Sequence, residues 1–204
     1  MSNEEAVFTE PLACCLRAVE RSPVRAGDVI LIVGSGAIGL LFIQLVKLAQ
    51  ATVIATDILR DRLKMALQYG ADIALHPVED PIEEIVRKVS EGRGVDIVFS
   101  TVASQAVLNQ ALLLVRDGGT INFFAGFRGG LDVTVDLNEL YEREVGIITS
   151  YSSSPQTLAE AFRLIVDGDI RTAELISHRL PLSKVLQGVQ MMVRQEARKV
   201  YFKV

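Results

Sequence analysis

The chain has 204 residues, half of them hydrophobic, with 15 glycines and a formal net charge of −4. That length suits one large domain, or one domain and part of another, and the composition fits a well-buried α/β sheet rather than a disordered or coiled-coil chain. Without a basic tract the chain has no electrostatic footprint for nucleic acid; without a long apolar run or a signal-peptide pattern in Met1–Glu10 it has none for a membrane. The two cysteines, Cys14 and Cys15, are adjacent, so they imply no disulfide framework and fit a reducing cytoplasm.

In chain order, Thr9 or Glu10 ahead of Pro11 reads as a helix start, because proline is tolerated at the first helical position. LACCLRAVERS then runs to Pro23, and Ala26-Gly27 turns into VILIV, the first strand. Gly34, Gly36 and Gly39 follow, then the mostly apolar helix LLFIQLVKLAQ, expected to pack on a sheet. VIATD is the second strand, DRLKMALQYGA a helix ending near Gly70, and ADIALHP a short third strand. Asp80-Pro81 opens a helix whose Ile82, Ile85, Val86 and Val89 recur at helical spacing. VDIVFST is the fourth strand, and QAVLNQALLLVRDGG reads as a helix running to its glycine pair. TINFFAGF and VGIITS are the fifth and sixth strands. Strands and helices alternating in this way predict a doubly wound parallel sheet. Beyond it the alternation breaks. SPQTLAEAFRLIVDG is a helix capped by Ser154 with Pro155 at its first position, LPLSKVLQGVQMMVRQ a further helix, and VYFKV a short strand with no evident partner.

The glycines carry the most chemistry. Gly34, Gly36 and Gly39 have the spacing G-x-G-x-x-G between a buried strand and a helix, and Asp57 lies 57 − 39 = 18 positions beyond the last of them, at the end of the second strand. This is the arrangement that grips a dinucleotide. Gly34 permits the turn, Gly36 lets backbone approach a pyrophosphate, Gly39 lets the helix lie close on the strand, and the first helical N–H groups face the phosphates. A carboxylate at Asp57 accepts hydrogen bonds from the ribose hydroxyls and repels a 2′-phosphate, so NAD is expected over NADP, despite Arg60 and Arg62 nearby. Residues 1–22 then form an N-terminal helix, 23–150 a dinucleotide-binding Rossmann domain and 151–204 a C-terminal return segment.

The stretches EPLACCLRAVE, VGSGAIGLLFIQLVKL, TDILRDRL, GGTINFFAGF, SYSSSPQ and ISHRLPL, in that order, resemble the zinc-dependent medium-chain dehydrogenase/reductase superfamily, and most closely its sorbitol, threonine and polyol dehydrogenase branch. The resemblance implies an NAD-dependent oxidation of an alcohol or polyol at a zinc ion. It further implies that these residues are the cofactor portion plus the C-terminal helices and strand of an incomplete catalytic domain. The family's zinc-binding cysteines and His-Glu pair belong to an N-terminal catalytic domain, and no such set occurs here. Isolated, the chain is therefore expected to show little or no dehydrogenase activity.

By the same resemblance Glu10 matches a glutamate at or beside the catalytic zinc, Arg62 a basic residue near the adenosine ribose, and Lys199 a basic residue reaching the pyrophosphate. Ala37 and Ile38 fall in the glycine turn, where the family packs an aliphatic side chain against the nicotinamide. Ala125, Gly126, Ser150 and Tyr151 fall at the ends of the fifth and sixth strands, where backbone groups hold the carboxamide. Family members pair through the sixth strand, here Val145–Thr149, which implies a homo-oligomer. Thr101, Val102 and Ala103 stand where the family usually has Cys-Thr-Gly, so the contacts beside the nicotinamide are expected to differ. His76 and His178 are read as structural or surface residues rather than catalytic bases. Two other readings stay open: a non-catalytic dinucleotide-binding or oligomerisation module, and a methyltransferase, whose adenosyl cofactor uses a similar glycine turn and acid.

Overall fold

The computed structural model describes residues 1–126 and 132–203. Two N-terminal helices, the short α1 (Asn3–Ala6) and the thirteen-residue α2 (Thr9–Arg21), lead into β1 (Val29–Val33), α3 (Ala37–Leu48), β2 (Thr52–Thr56), α4 (Arg60–Gln68) and β3 (Ile73–Leu75). The second half of the sheet follows as α5 (Ile82–Val89), β4 (Val95–Ser100), α6 (Gln105–Leu114), β5 (Val115–Phe123), α7 (Leu137–Glu142) and β6 (Gly146–Thr149). The strands pair in parallel in the order β3-β2-β1-β4-β5-β6. The order reverses between β1 and β4, the point at which sheets of this kind open a ligand crevice beyond their carboxyl ends.

Both faces of the sheet are covered, as the near-continuous apolar strands require. Ile30 and Ile32 of β1 pack with α2, α3 and α8 (Pro155–Val166), whereas Val29, Leu31 and Val33 pack with α5 and α6 on the opposite face. Successive strand side chains point to opposite faces, so one apolar strand serves two cores. Phe42 of α3 stacks on Phe99 of β4 at 4.8 Å and meets Phe124 edge-on at 5.2 Å. Helix α2 is tied to the sheet by polar contacts too: Asn122 Nδ2 donates to the Ala18 carbonyl, and Arg21 Nε to the Thr149 carbonyl at 3.0 Å. Helix α8 begins as expected, with the Ser154 hydroxyl accepting from Thr157 N–H and Pro155 in the first turn.

Three expectations change. Helix α6 ends at Leu114, not at the glycine pair, and Val115–Gly119 already belong to β5. Val115 pairs with Val95, and the Arg143 guanidinium takes the Leu112 and Val115 carbonyls, so tertiary pairing overrides the local helical pattern. The segment LPLSKV does not open a helix: β7 (His178–Pro181) precedes a 3₁₀ turn at Leu182–Lys184 and α9 (Val185–Val193). The terminal strand, β8 (Val200–Lys203), does have a partner, since it pairs in parallel with β7 as a separate two-stranded sheet. The far end of the expected fifth strand, at Phe127, and the last residue, Val204, lie outside the described residues. No helix among the described residues is long and apolar enough to cross a membrane.

Candidate functional site: the cleft at the glycine turn

The turn after β1 is built by its glycines. Gly34 adopts φ +90°, a left-handed conformation that suits glycine, and a Cβ there would strike the Thr101 hydroxyl. A Cβ on Gly39 would overlap the Gly34 carbonyl oxygen, so α3 can lie against the turn only because that residue has none. Beside Gly36 the space is open, with Arg62 Nη1 the nearest atom at 4.0 Å from the Cβ position. Gly36 caps α3 without a side-chain hydrogen bond. The first N–H groups of a twelve-residue helix thus face the cleft uncapped, a ready site for an anion.

Asp57 holds this turn in place. It is 6% exposed. Its Oδ2 accepts from Ser35 N–H at 2.9 Å, and its Oδ1 accepts from Leu59 N–H at 2.9 Å. Arg62 Nη1 stands 3.5 Å from Oδ2, a loose ion pair. Thr101 latches the other side, its hydroxyl donating to the Val33 carbonyl at 2.9 Å. The place where the sequence departs from Cys-Thr-Gly is therefore structured around that hydroxyl, with Val102 half-exposed on the cleft wall.

Two cavities flank the turn. One, of about 280 Å³, is lined by Gly34, Gly36, Ala37, Ile38, Asp57, Arg62, Thr101, Val102, Arg198 and Lys199, among others. The second, of about 320 Å³, lies on the β2–β3 side and is mostly apolar, with Asp57, Ile58, Pro77, Val78, Val107 and Gln110 on its walls. The tertiary structure thus brings Lys199, expected from the far end of the chain, to the glycine turn, where its ammonium also lies 5.7 Å from the Phe8 ring centre.

Not every expected residue joins them. Ala125, Gly126, Ser150 and Tyr151 sit just past β5 and β6, at the same carboxyl edge of the sheet, but line neither cavity. Tyr151 is 93% exposed, and the Ser150 hydroxyl is buried without a partner among the described residues. Sequence reasoning missed Arg198, Met192 and Phe8 as cleft walls, while Val102, marked by its departure from the family pattern, does line the cleft. Arg198 adjoins Lys199, which was singled out, whereas nothing local marks Phe8 or Met192. His76 Nδ1 accepts from the Val78 and Glu79 N–H groups, a turn-building role, and His178 Nδ1 lies 3.0 Å from the Ser177 hydroxyl.

Glu10 is on α2 and accepts from the Cys14 thiol at 3.1 Å. Burial, and then the Glu10 carboxylate, push the Cys14 thiol up to about 11. Among the described residues no group of three or more His, Cys, Asp or Glu is placed to hold a metal ion. These residues do not make a zinc site by themselves, because a tetrahedral site needs ligands that Glu10 alone cannot supply.

A parallel α/β sheet with a glycine turn, a terminal acid on the second strand and a cleft at the order reversal defines a dinucleotide-binding class of fold. Residues 37–167 match the family model described as zinc-binding dehydrogenase, and the chain belongs to that family. It is 32% identical, over 97% of its length, to D-arabitol-phosphate dehydrogenase of Enterococcus avium, of which it covers 58%. It is 31% identical to sorbitol dehydrogenase of Gallus gallus over 98% of its length and 56% of that protein. The fold superposes on alcohol dehydrogenase TADH from Thermus sp. ATN1 with a TM-score of 0.93 at 25% identity, covering 100% of this chain and 59% of that one. A putative zinc-binding dehydrogenase from Sinorhizobium meliloti 1021, bound to NADP, gives a TM-score of 0.83 at 31% identity, covering 89% of this chain and 54% of that one. The chain thus spans a little over half the length of the curated relatives it matches.

Proposed function

We propose that this chain is the NAD-binding portion of a zinc-dependent alcohol or polyol dehydrogenase, spanning residues 23–150, with 1–22 and 151–204 as the segments that join it to a catalytic portion. The carrying observation is the cavity at the glycine turn, where an uncapped helix N-terminus, Asp57 and three cationic side chains converge. The site suits the cofactor: Gly34, Gly36, Ala37, Ile38 and Gly39 line or shape the approach to the pyrophosphate. Asp57 has lone pairs left for a ribose, while Arg62 and Lys199 lie within the same cavity. When bound, NAD supplies the hydride acceptor of the reaction. The chain's own residues bind and orient it, and Ile38 and Val102 form apolar walls that keep water from the cleft. Ala125, Gly126, Ser150 and Tyr151 serve the carboxamide end, and Glu10 the margin of the metal.

The substrate is a small alcohol or polyol, a reading supported by similarity to D-arabitol-phosphate and sorbitol dehydrogenases, and its pocket is completed by residues outside these 204. A homo-oligomer forms through β6, the edge strand of the sheet, where Ile147 is 38% exposed. The free thiols of Cys14 and Cys15 suit a reducing, cytoplasmic setting. NADH fluorescence on titration with the chain tests the reading: enhancement that S-adenosylmethionine fails to reverse supports it, and competition by S-adenosylmethionine favours a methyltransferase. The isolated chain is expected to oxidise no polyol with NAD and zinc. Turnover by it would overturn the assignment of catalysis to a second portion.

A further inference from the structure

Strands β1, β2 and β4 end in register, since Val33 pairs with Thr56 on one side and with Ser100 on the other. The first residues beyond the three strands are therefore neighbours: Gly34 in the middle, Asp57 on one flank and Thr101 on the other. Main-chain hydrogen bonds carry the alignment one step past the sheet. Gly34 N–H donates to the Thr56 carbonyl and Thr101 N–H to the Val33 carbonyl, each at 2.9 Å.

The peptide joining Gly34 to Ser35 lies between these flanks, and each flank takes one end of it. Its N–H donates to Asp57 Oδ2 at 2.9 Å. Its carbonyl accepts from the Thr101 hydroxyl at 3.2 Å and has no other hydrogen-bond donor among the described residues. The hydroxyl carries a single hydrogen, shared with the Val33 carbonyl at 2.9 Å. Val33 already has the Thr101 N–H, so the Gly34 carbonyl is the group that depends on the hydroxyl. Gly34 stands at φ +90° and has no side chain to resist rotation of this peptide. Rotated, the peptide would turn its carbonyl toward the Asp57 carboxylate and withdraw the Ser35 N–H from it. Gly36 and the first turn of α3 follow directly, so the direction of this one peptide governs the N–H groups that face the cleft.

We propose that Thr101 is a positioning residue of the cofactor site: with Asp57 it clamps the Gly34–Ser35 peptide from both flanks, so that the turn meets an anionic ligand already formed. The inference rests on the dinucleotide reading above and adds to it a residue on β4 that acts through the main chain rather than by touching the ligand. Preorganisation of this kind strengthens binding because less ordering is left for the ligand to impose.

Thr101→Val keeps the shape of the side chain and removes the donor. Calorimetric titration of the 204-residue chain is expected to show 5′-ADP bound about 3- to 10-fold more weakly, the range for one lost hydrogen bond, and adenosine unchanged. Thr101→Ser, which restores the hydroxyl, should recover the affinity. Residue-resolved hydrogen exchange without ligand gives a second readout: the Ser35 amide loses protection in Thr101→Val and regains it in Thr101→Ser, although Asp57 is present in both. Where Thr101→Val does not fold, Thr101→Ala carries the same measurements. Parent affinity for 5′-ADP together with parent exchange at Ser35 in a folded variant overturns the inference and leaves the dinucleotide reading standing. Equal weakening of 5′-ADP and adenosine, with Ser35 exchange unchanged, also overturns it, because the loss then does not pass through the clamped peptide. No binding of 5′-ADP or NADH by the parent chain overturns both readings.

Discussion

Helices α3 and α9 are both rich in apolar residues, yet they live in different surroundings. In α3 eight of twelve residues are buried, from Gly39 to Val46, between the sheet and the helices α2 and α8. In α9 Gly188 is buried while Leu186 and Val193 are 76% and 77% exposed. The strands beneath them differ in the same way: every residue of β1 is buried, whereas β7 alternates between half-buried and exposed. The inner face of α9 is nonetheless well made, since a Cβ on Gly188 would overlap the Phe202 ring of β8. The six-stranded region closes its own core, and the two-stranded region presents an apolar outer face of the kind that marks an interaction surface.

Substitutions can break this contrast or sharpen it. The largest effect is expected for Gly39→Val, which drives a branched side chain into the Gly34 carbonyl; the chain should not reach the native fold, as lost cooperative thermal unfolding would report. A Gly39→Val chain with the parent melting curve would mean that α3 does not rest on the turn as described. Leu41→Ala, at a fully buried position, should cost about 2–5 kcal/mol in urea denaturation, whereas Leu186→Ala should fall within about 0.5 kcal/mol. Equal costs at the two sites would erase the distinction between the regions.

Smaller effects probe the cleft itself. Asp57→Asn keeps one acceptor but removes the charge that favours a free ribose; NADH should bind about tenfold more weakly, and discrimination against NADPH should narrow, both read by fluorescence titration. Unaltered preference would move cofactor choice away from Asp57. The mildest change is Glu10→Gln. Removing a negative charge beside a thiol favours the thiolate, so the Cys14 pKa should fall from about 11 and iodoacetamide should alkylate it faster at pH 9. A rate that stays flat would show that burial alone sets that thiol.

Much of the six-stranded region was legible in advance because its signals are local. Val29–Val33 is apolar throughout, Gly34, Gly36 and Gly39 fall where a turn and a close helix need them, and Ser154-Pro155 marks a helix start. The boundary between α6 and β5 was misread because Val115 has no local reason to leave the helix; its reasons are Val95 and Arg143, each at least twenty residues away. The hairpin-free pairing of β7 with β8 was equally invisible, since HRLP carries no strand signature and its partner lies beyond a whole helix.

The sequence by itself determined the glycine turn, the acid opposite it and the alternation that makes a doubly wound sheet. These follow from backbone freedom and apolar periodicity within a few residues. Only the tertiary structure decided that Arg198 joins Lys199 at that turn from the end of the chain, that Asp57 accepts from the Ser35 and Leu59 N–H groups, and that α9 keeps an open face. Such contacts join residues far apart in the chain, and they are set by how whole elements pack rather than by any local preference of the residues involved.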